Sequence, residues 1–234
     1  MSAASPVPHQ FQHQSLTLIS SLLPVSNAAF FLVEPGMQHR GAVIFNGCQD
    51  IEKQYTQKYS SMDPLSPDRF RNTATRVATL DSQIAPHLLK QSRYYHEFML
   101  PNGHRYVADM FFRQDKQIVA ILSILRAENL GNFSATELEL LNNVQPFMEY
   151  SLNTVYLPQR QQERQSFHAQ FQLTDRELDV LELLISGANN KQIASELNLG
   201  LATVKTHLHH MFQKTGVQSR AELVSRSLQI LQAR

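Results

Sequence analysis

Tryptophan is absent from this 234-residue chain, and cysteine occurs once, at Cys48. A single thiol excludes an internal disulfide and the zinc sites that need several cysteines, and it fits a reducing compartment. No run of about 20 apolar residues is present, so no membrane-spanning helix is expected. The apolar stretch 16–23 has no Lys or Arg ahead of it, the first being Arg40, and so lacks the positive flank of a secretory signal. It reads instead as an amphipathic first helix ended by Pro24. A dominant charge is missing as well: 21 Lys and Arg stand against 20 Asp and Glu, a net +1. The expectation from length and composition is a cytoplasmic protein of two domains.

What the whole chain lacks in charge, one region has. Over 189–234 six basic residues face two acidic ones, Glu196 and Glu222, while 175–182 carries a net −3. The region is polarised, and its net charge predicts modest DNA affinity per monomer and dependence on dimerisation. A helix predicted over 202–214 places Val204, Leu208, Met211 and Phe212 on one stripe of a 3.6-residue period. Ala202, Lys205, Thr206, His209 and Gln213 project together from the other side. A helix fits the major groove, where Lys donates to guanine, Thr and His bond base edges, and Ala leaves room for a thymine methyl. An ordinary solvated helix also shows a polar face, so this face alone is ambiguous.

The neighbouring segments remove the ambiguity. Thr174 with Glu177 forms a capping box flanked by Leu173 and Leu178, opening a helix whose stripe is Leu178, Leu181, Leu184 and Ile185. Gly187 supplies its left-handed stop. A short helix over 190–197 turns Ile193, Ala194 and Leu197 inward, and the turn 198–200 leads to the third helix. A fourth begins with a second box, Ser219 with Glu222, and carries Leu223, Val224, Leu228, Ile230 and Leu231, more apolar surface than the four helices need among themselves.

LTDRE, Gly187, NNKQIASELNL, TVKTH and KTGVQSRAEL, in that spacing, resemble the C-terminal DNA-binding domain of LuxR-type regulators. Gln192 stands where Glu is common, and Gly200 where Ser usually caps the recognition helix; Gly is a usable N-cap. The resemblance implies base reading by Lys205, Thr206 and His209, and phosphate contacts from Lys191, Thr203 and Arg220.

The first half reads as an α+β domain. Residues 1–12 are predicted to be disordered. Strands are predicted over 28–34, 42–45, 94–100, 104–113 and 117–126, with turns near 36–40, at Pro101-Asn102-Gly103 and at Gln114-Asp115-Lys116. Helices are expected over 15–23 and 50–60, from Ser66-Pro67 through Val77, and from a capping box at Ser134 and Glu137 past Pro146, which should kink it. The antiparallel sheet flanked by helices resembles the GAF/PAS-like input domains of LuxR-type regulators. The expected division is a sensor or interaction domain at 13–156, a Gln- and Arg-rich linker at 157–168, flexible by composition, and a four-helix helix-turn-helix domain at 169–234.

Tyr55, Tyr59, Asp63 and Pro64 resemble the Tyr and Asp-Pro pattern of acyl-homoserine-lactone-binding domains, in which a carboxylate accepts the ligand amide and phenols donate to its carbonyls. That pocket also uses a Trp, absent here, so the expected ligand is another small molecule with apolar and polar parts. The same residues also suit core packing and a turn cap. Tyr94 and Tyr95 are read on opposite faces of a strand, so one of them enters the pocket or both pack the core. Cys48 beside Asp50, with His39, His87, His96 and His104 elsewhere, forms no triad spacing and no metal spacing, so neither an enzyme, a metal site nor a cofactor is expected. A phosphorelay receiver would need repeating βα units and an early acidic pair, which this half lacks. The partners expected are double-stranded DNA, a second copy of the chain, a small-molecule ligand and RNA polymerase, with no membrane. The competing expectation is a ligand-independent regulator whose first half only dimerises or binds protein.

Overall fold

The computed structural model describes residues 10–33, 36–37, 39–47, 49–197 and 199–232. They form two compact units, Phe11–Asn153 and Thr154–Arg234. Among the described residues no helix is long and apolar enough to cross a membrane.

The first unit opens with α1 (Gln10–Leu22), whose Leu16 and Ile19 are buried, as an amphipathic helix requires. Of the segment expected to be disordered, 1–9 lies outside the described residues, and 10–12 belong to α1. Strands β1 (Asn27–Val33) and β2 (His39–Phe45) pair antiparallel. Short helices follow: α2 (Gln49–Gln54), which runs into a π turn at Tyr55–Tyr59 and a 3-10 turn at Ser60–Met62, then α3 (Pro67–Phe70). Next come β3 (Val77–Thr79), α4 (Leu80–Gln83), α5 (Pro86–Gln91), β4 (Tyr106–Gln114) and β5 (Gln117–Arg126). The sheet order is β2-β1-β5-β4-β3, and the pairs are antiparallel.

Two expectations fail here. Residues 94–100 are helical, with a π turn at Tyr95–Met99, rather than a strand. Their aromatic content favours a strand locally, but Tyr94, Tyr95, Phe98 and Met99 recur at helical spacing and all four are buried. The missing fifth strand is β3, where α3 stops after one turn instead of continuing through Val77. Three residues are too few to display alternation; pairing with β4 defines them.

Strand parity divides the sheet into two faces. Phe30 stacks on Phe112 at 5.6 Å on one of them, and Phe11 of α1 meets Phe30 edge-on at 5.7 Å. This face also receives α6 (Ala135–Ser151), whose buried Gln145 donates to the Phe111 carbonyl at 2.7 Å. Its N-terminus has the predicted box, with Ser134 Oγ accepting from Glu137 N and the Glu137 carboxylate accepting from Ser134 N. The same carboxylate holds buried Arg126 at 2.5 Å. Ala29, Phe31, Phe111 and Ile121 lie on the opposite face, in one core with Leu65, Phe70, Leu80, Leu89 and Phe98 from the short helices.

The second unit contains α7 (Leu157–Phe171), α8 (Asp175–Ile185), α9 (Asn190–Glu196), α10 (Leu201–Thr215) and α11 (Arg220–Gln232). Helix α7 occupies the segment whose composition suggests a flexible linker. It is ordered by charge and by two aromatic anchors. Arg164 reaches Asp179 at 3.0 Å and Glu182 at 2.8 Å, Arg160 reaches Glu182 at 2.7 Å, and Phe167 and Phe171 enter the core. The acidic stripe of α8 is therefore neutralised from within its own unit.

Candidate functional site

The helix-turn-helix is built as its caps dictate. Thr174 and Glu177 close the box at α8, and Gly187 follows the helix with φ +92°, a conformation suited to glycine. At α9 a further box, Asn189 with Gln192, begins the helix; Gln192 thus caps with the same geometry a Glu would. The turn closes through Leu199 N donating to the Ala194 carbonyl at 2.8 Å, and Gly200 takes the extended N-cap conformation of α10 without a side-chain bond.

Val204, Leu208 and Met211 are buried, with Phe212 packed partly against them. On the other side Ala202, Thr203, Lys205, Thr206, His209 and Gln213 are exposed. Thr206 Oγ1 donates to the Ala202 carbonyl at 3.1 Å, and His209 Nε2 lies 3.1 Å from Gln213 Nε2, so the polar residues of this face are held along the helix. Lys191 is exposed on α9.

The basic residues divide by role. Lys214 Nζ donates to Glu177 at 2.6 Å and to the Gln172 carbonyl at 3.0 Å. Arg226 lies over the Phe171 ring at 5.3 Å. Arg220, half-buried, donates to Asn190 Oδ1 at 3.2 Å and to the Ala188 carbonyl, tying the start of α11 to the turn before α9. Among the described residues of α9 and α10, Lys191 and Lys205 are exposed lysines outside the ion pairs, whereas Lys214, also exposed, is held by Glu177.

In the first unit, a cavity of about 90 Å³ lies against the Phe31 and Ile121 face of the sheet. It has room for several waters or one small molecule. Tyr55 and Asp63 line it, as does Tyr94. Asp63 accepts from Tyr55 Oη at 2.7 Å and from Leu65 N at 2.8 Å, so the turn cap and the pocket wall are one carboxylate. Tyr59 is elsewhere: its hydroxyl donates to Glu97 at 3.3 Å and its ring packs on Phe98. An i, i+4 pair shares a face in an unbroken α-helix, and the π turn at 55–59 breaks that register. Tyr95 is buried in the core. Cys48 lies outside the described residues, as do the side chains of His39 and Asp50. Among the described residues no group of His, Cys, Asp and Glu could hold a metal.

Two polar residues of the cavity, Asp109 and Ser123, were not singled out by sequence reasoning, and a third, His104, was named only among scattered histidines. Ser123 Oγ donates to Asp109 Oδ1 at 2.6 Å. Burial pushes the Asp109 carboxyl well above the usual carboxylate range, and the Asp63 carboxylate pushes it further, against the hydrogen bond from Ser123. Burial brings His104 down to about 4, so its ring is neutral at physiological pH, and its Nδ1 is buried with no hydrogen-bond partner. A signal existed: Asp109 and Ser123 are the polar interruptions of two apolar strands, and the β4–β5 register puts them opposite one another.

Residues 171–227 match the family model described as bacterial regulatory proteins, luxR family. Over 213 residues, 91% of this chain and 88% of the relative, the sequence is 35% identical to the monoamine regulon transcriptional regulator of Klebsiella aerogenes. The HTH-type transcriptional regulator MalT of Yersinia pestis (strain Pestoides F) is 47% identical over 60 residues, 26% of this chain and 7% of that protein. Among solved structures, the VqsR LBD domain of Pseudomonas aeruginosa superposes with a TM-score of 0.48 at 13% identity, covering 62% of this chain and 85% of that one. Escherichia coli SdiA gives 0.41 at 16% identity, covering 97% and 93%.

Proposed function

The chain belongs to the LuxR family of bacterial, DNA-binding transcriptional regulators, and on that premise we propose that it works as a homodimer whose DNA affinity is set by a small ligand in the first unit. In this reading α10 enters the major groove, Lys205, Thr206 and His209 read base edges, and Lys191 and Thr203 contact phosphate. Arg220 contributes to phosphate binding chiefly by holding the α8–α9 turn, given its bonds to Asn190 and Ala188. The observation that carries the reading is the exposed polar face of α10 set against an apolar stripe whose Val204, Leu208 and Met211 are buried. Dimerisation supplies affinity that two exposed lysines per reading head do not, by linking two half-site contacts. RNA polymerase is the further partner through which such a regulator acts. The name of the Klebsiella aerogenes relative supports a monoamine regulon as the target class.

Ligand control is favoured over a purely dimerising first unit by the cavity beside Tyr55 and Asp63, where a sheet serving only for assembly would be filled by side chains. Titration of duplexes by fluorescence anisotropy tests the DNA half. Lys205→Ala or His209→Ala should relax preference at one or two base positions, at a loss of roughly 1–3 kcal/mol on the preferred sequence. Lys191→Ala should weaken all duplexes alike and lower the salt slope by about one. A uniform loss on every duplex for Lys205→Ala and His209→Ala would remove their base-reading role.

A further inference from the structure

The cavity described above has a chemistry of its own. Its walls are aromatic and aliphatic, yet the floor supplied by the sheet carries a carboxylate, Asp109, at the centre of β4. Asp109 is 5% exposed, and the partner that holds it in place is a neutral hydroxyl, that of Ser123. Asp63, 7% exposed, presents a second carboxylate to the same space, and no lysine or arginine is among the described residues lining it. Two buried carboxylates raise each other's energy unless a proton or a cation is added between them.

A second observation points to a ligand atom. His104, 5% exposed, lines the same cavity with Nδ1 unsatisfied, although a buried polar atom in a native fold ordinarily has a partner. The ring is neutral, so it offers one donor or acceptor and does not supply the missing positive charge. Around these groups stand the rings of Tyr55, Tyr94 and Phe98, with Phe98 stacked on Tyr94 at 5.6 Å and tilted against Tyr55 at 5.7 Å. Aromatic faces attract a desolvated cation, and they pack against a flat apolar body.

We propose that the ligand of this pocket is an organic ammonium ion, a small primary amine with an aromatic or compact apolar body, whose charged head is accepted by Asp109 with Asp63 while His104 meets a polar substituent. This rests on the reading of the first unit as a ligand-controlled domain and specifies the charge class of its ligand. A small molecule of this kind suits a cavity of about 90 Å³. An anionic or purely apolar ligand brings no positive charge to Asp109, whose partner is a neutral hydroxyl.

The test is calorimetric titration of the full-length protein with four probes of matched size: 2-phenylethylamine, tyramine, 2-phenylethanol and phenylacetate. The amines should bind, with the alcohol and the acid weaker by about thirtyfold or more, as expected for loss of a buried charge pair. Asp109→Asn keeps the shape and the acceptor for Ser123, so the variant should fold and lose the preference for amine over alcohol. If the alcohol binds as tightly as the amines, or Asp109→Asn retains the preference, the ammonium assignment is wrong and small-ligand control survives it. If none of the four binds, both the assignment and the ligand-controlled reading fall.

Discussion

At the scale of single residues, two acids, half-buried Glu137 and buried Asp109, respond to pH in opposite senses. Glu137 accepts from Ser134 N and from the Arg126 guanidinium, which bring it down to about 2. Its stabilising contribution is present above the ordinary glutamate value of 4.5 and is lost as pH falls toward 2. Asp109 is raised, so its contribution is present below the ordinary aspartate value of 3.8 and is lost as pH rises through its folded value. Burial opposes ionisation of Asp109, and Asp109→Asn removes that titration. The ionisable groups facing Asp109 are Asp63, Glu52, Tyr55, Tyr94 and His104. Of these, the neighbouring Asp63 carboxylate adds to the burial of Asp109 in raising it. Amine affinity, measured by calorimetry as a function of pH, should fall as pH is lowered through the raised Asp109 value; an affinity that does not change with pH would contradict a charged acceptor. Arg126 makes a further prediction. It is 1% exposed, donates to the Pro24 carbonyl at 2.8 Å and lies over Phe133 at 4.1 Å. Arg126→Met leaves Glu137 without its counter-charge and should lower stability by roughly 3–5 kcal/mol in urea unfolding.

Among the elements, α7 departs most from what its sequence advertises. Gln and Arg runs with few apolar positions look like solvated linker, because no local pattern shows that Arg160 and Arg164 have Asp179 and Glu182 as partners. Arg164→Ala in the full chain should therefore destabilise the second unit by roughly 1.5–3 kcal/mol, the worth of hydrogen bonds to charged groups, as read by hydrogen exchange in α8. No change there would return 157–168 to linker status. Elements with caps were legible from sequence: Thr174 with Glu177 and Ser134 with Glu137 stand where spacing puts them. Strands β4 and β5 were legible from apolar runs of strand length bounded by turn signals. Where the period is short or shared, sequence failed, as at β3, which only its pairing defines, and at 94–100, where aromatic residues suit either structure. The pocket was half legible. Tyr55 and Asp63 came from a motif, whereas Asp109, Ser123 and His104 meet only through strand register and burial.

For the whole molecule, the two units carry separate chemistries, one reading DNA with few exposed cations and one enclosing carboxylates in an apolar pocket. Net charge of +1 gives the chain little non-specific hold on DNA, so in the proposed dimeric reading a modest change in the dimer population has a large effect on site occupancy. In the proposed reading, ligand binding at Asp109 and DNA binding at α10 are coupled, and coupling of this kind is typically about 5–150-fold in affinity. The measurement that tests this most directly is a DNA-binding isotherm of the full-length protein, with and without saturating 2-phenylethylamine, for the native sequence and for Asp109→Asn. The account predicts at least about a fivefold shift in DNA affinity for the native sequence and none for Asp109→Asn. An identical shift in both proteins, or none in the native protein while calorimetry records amine binding, would contradict it.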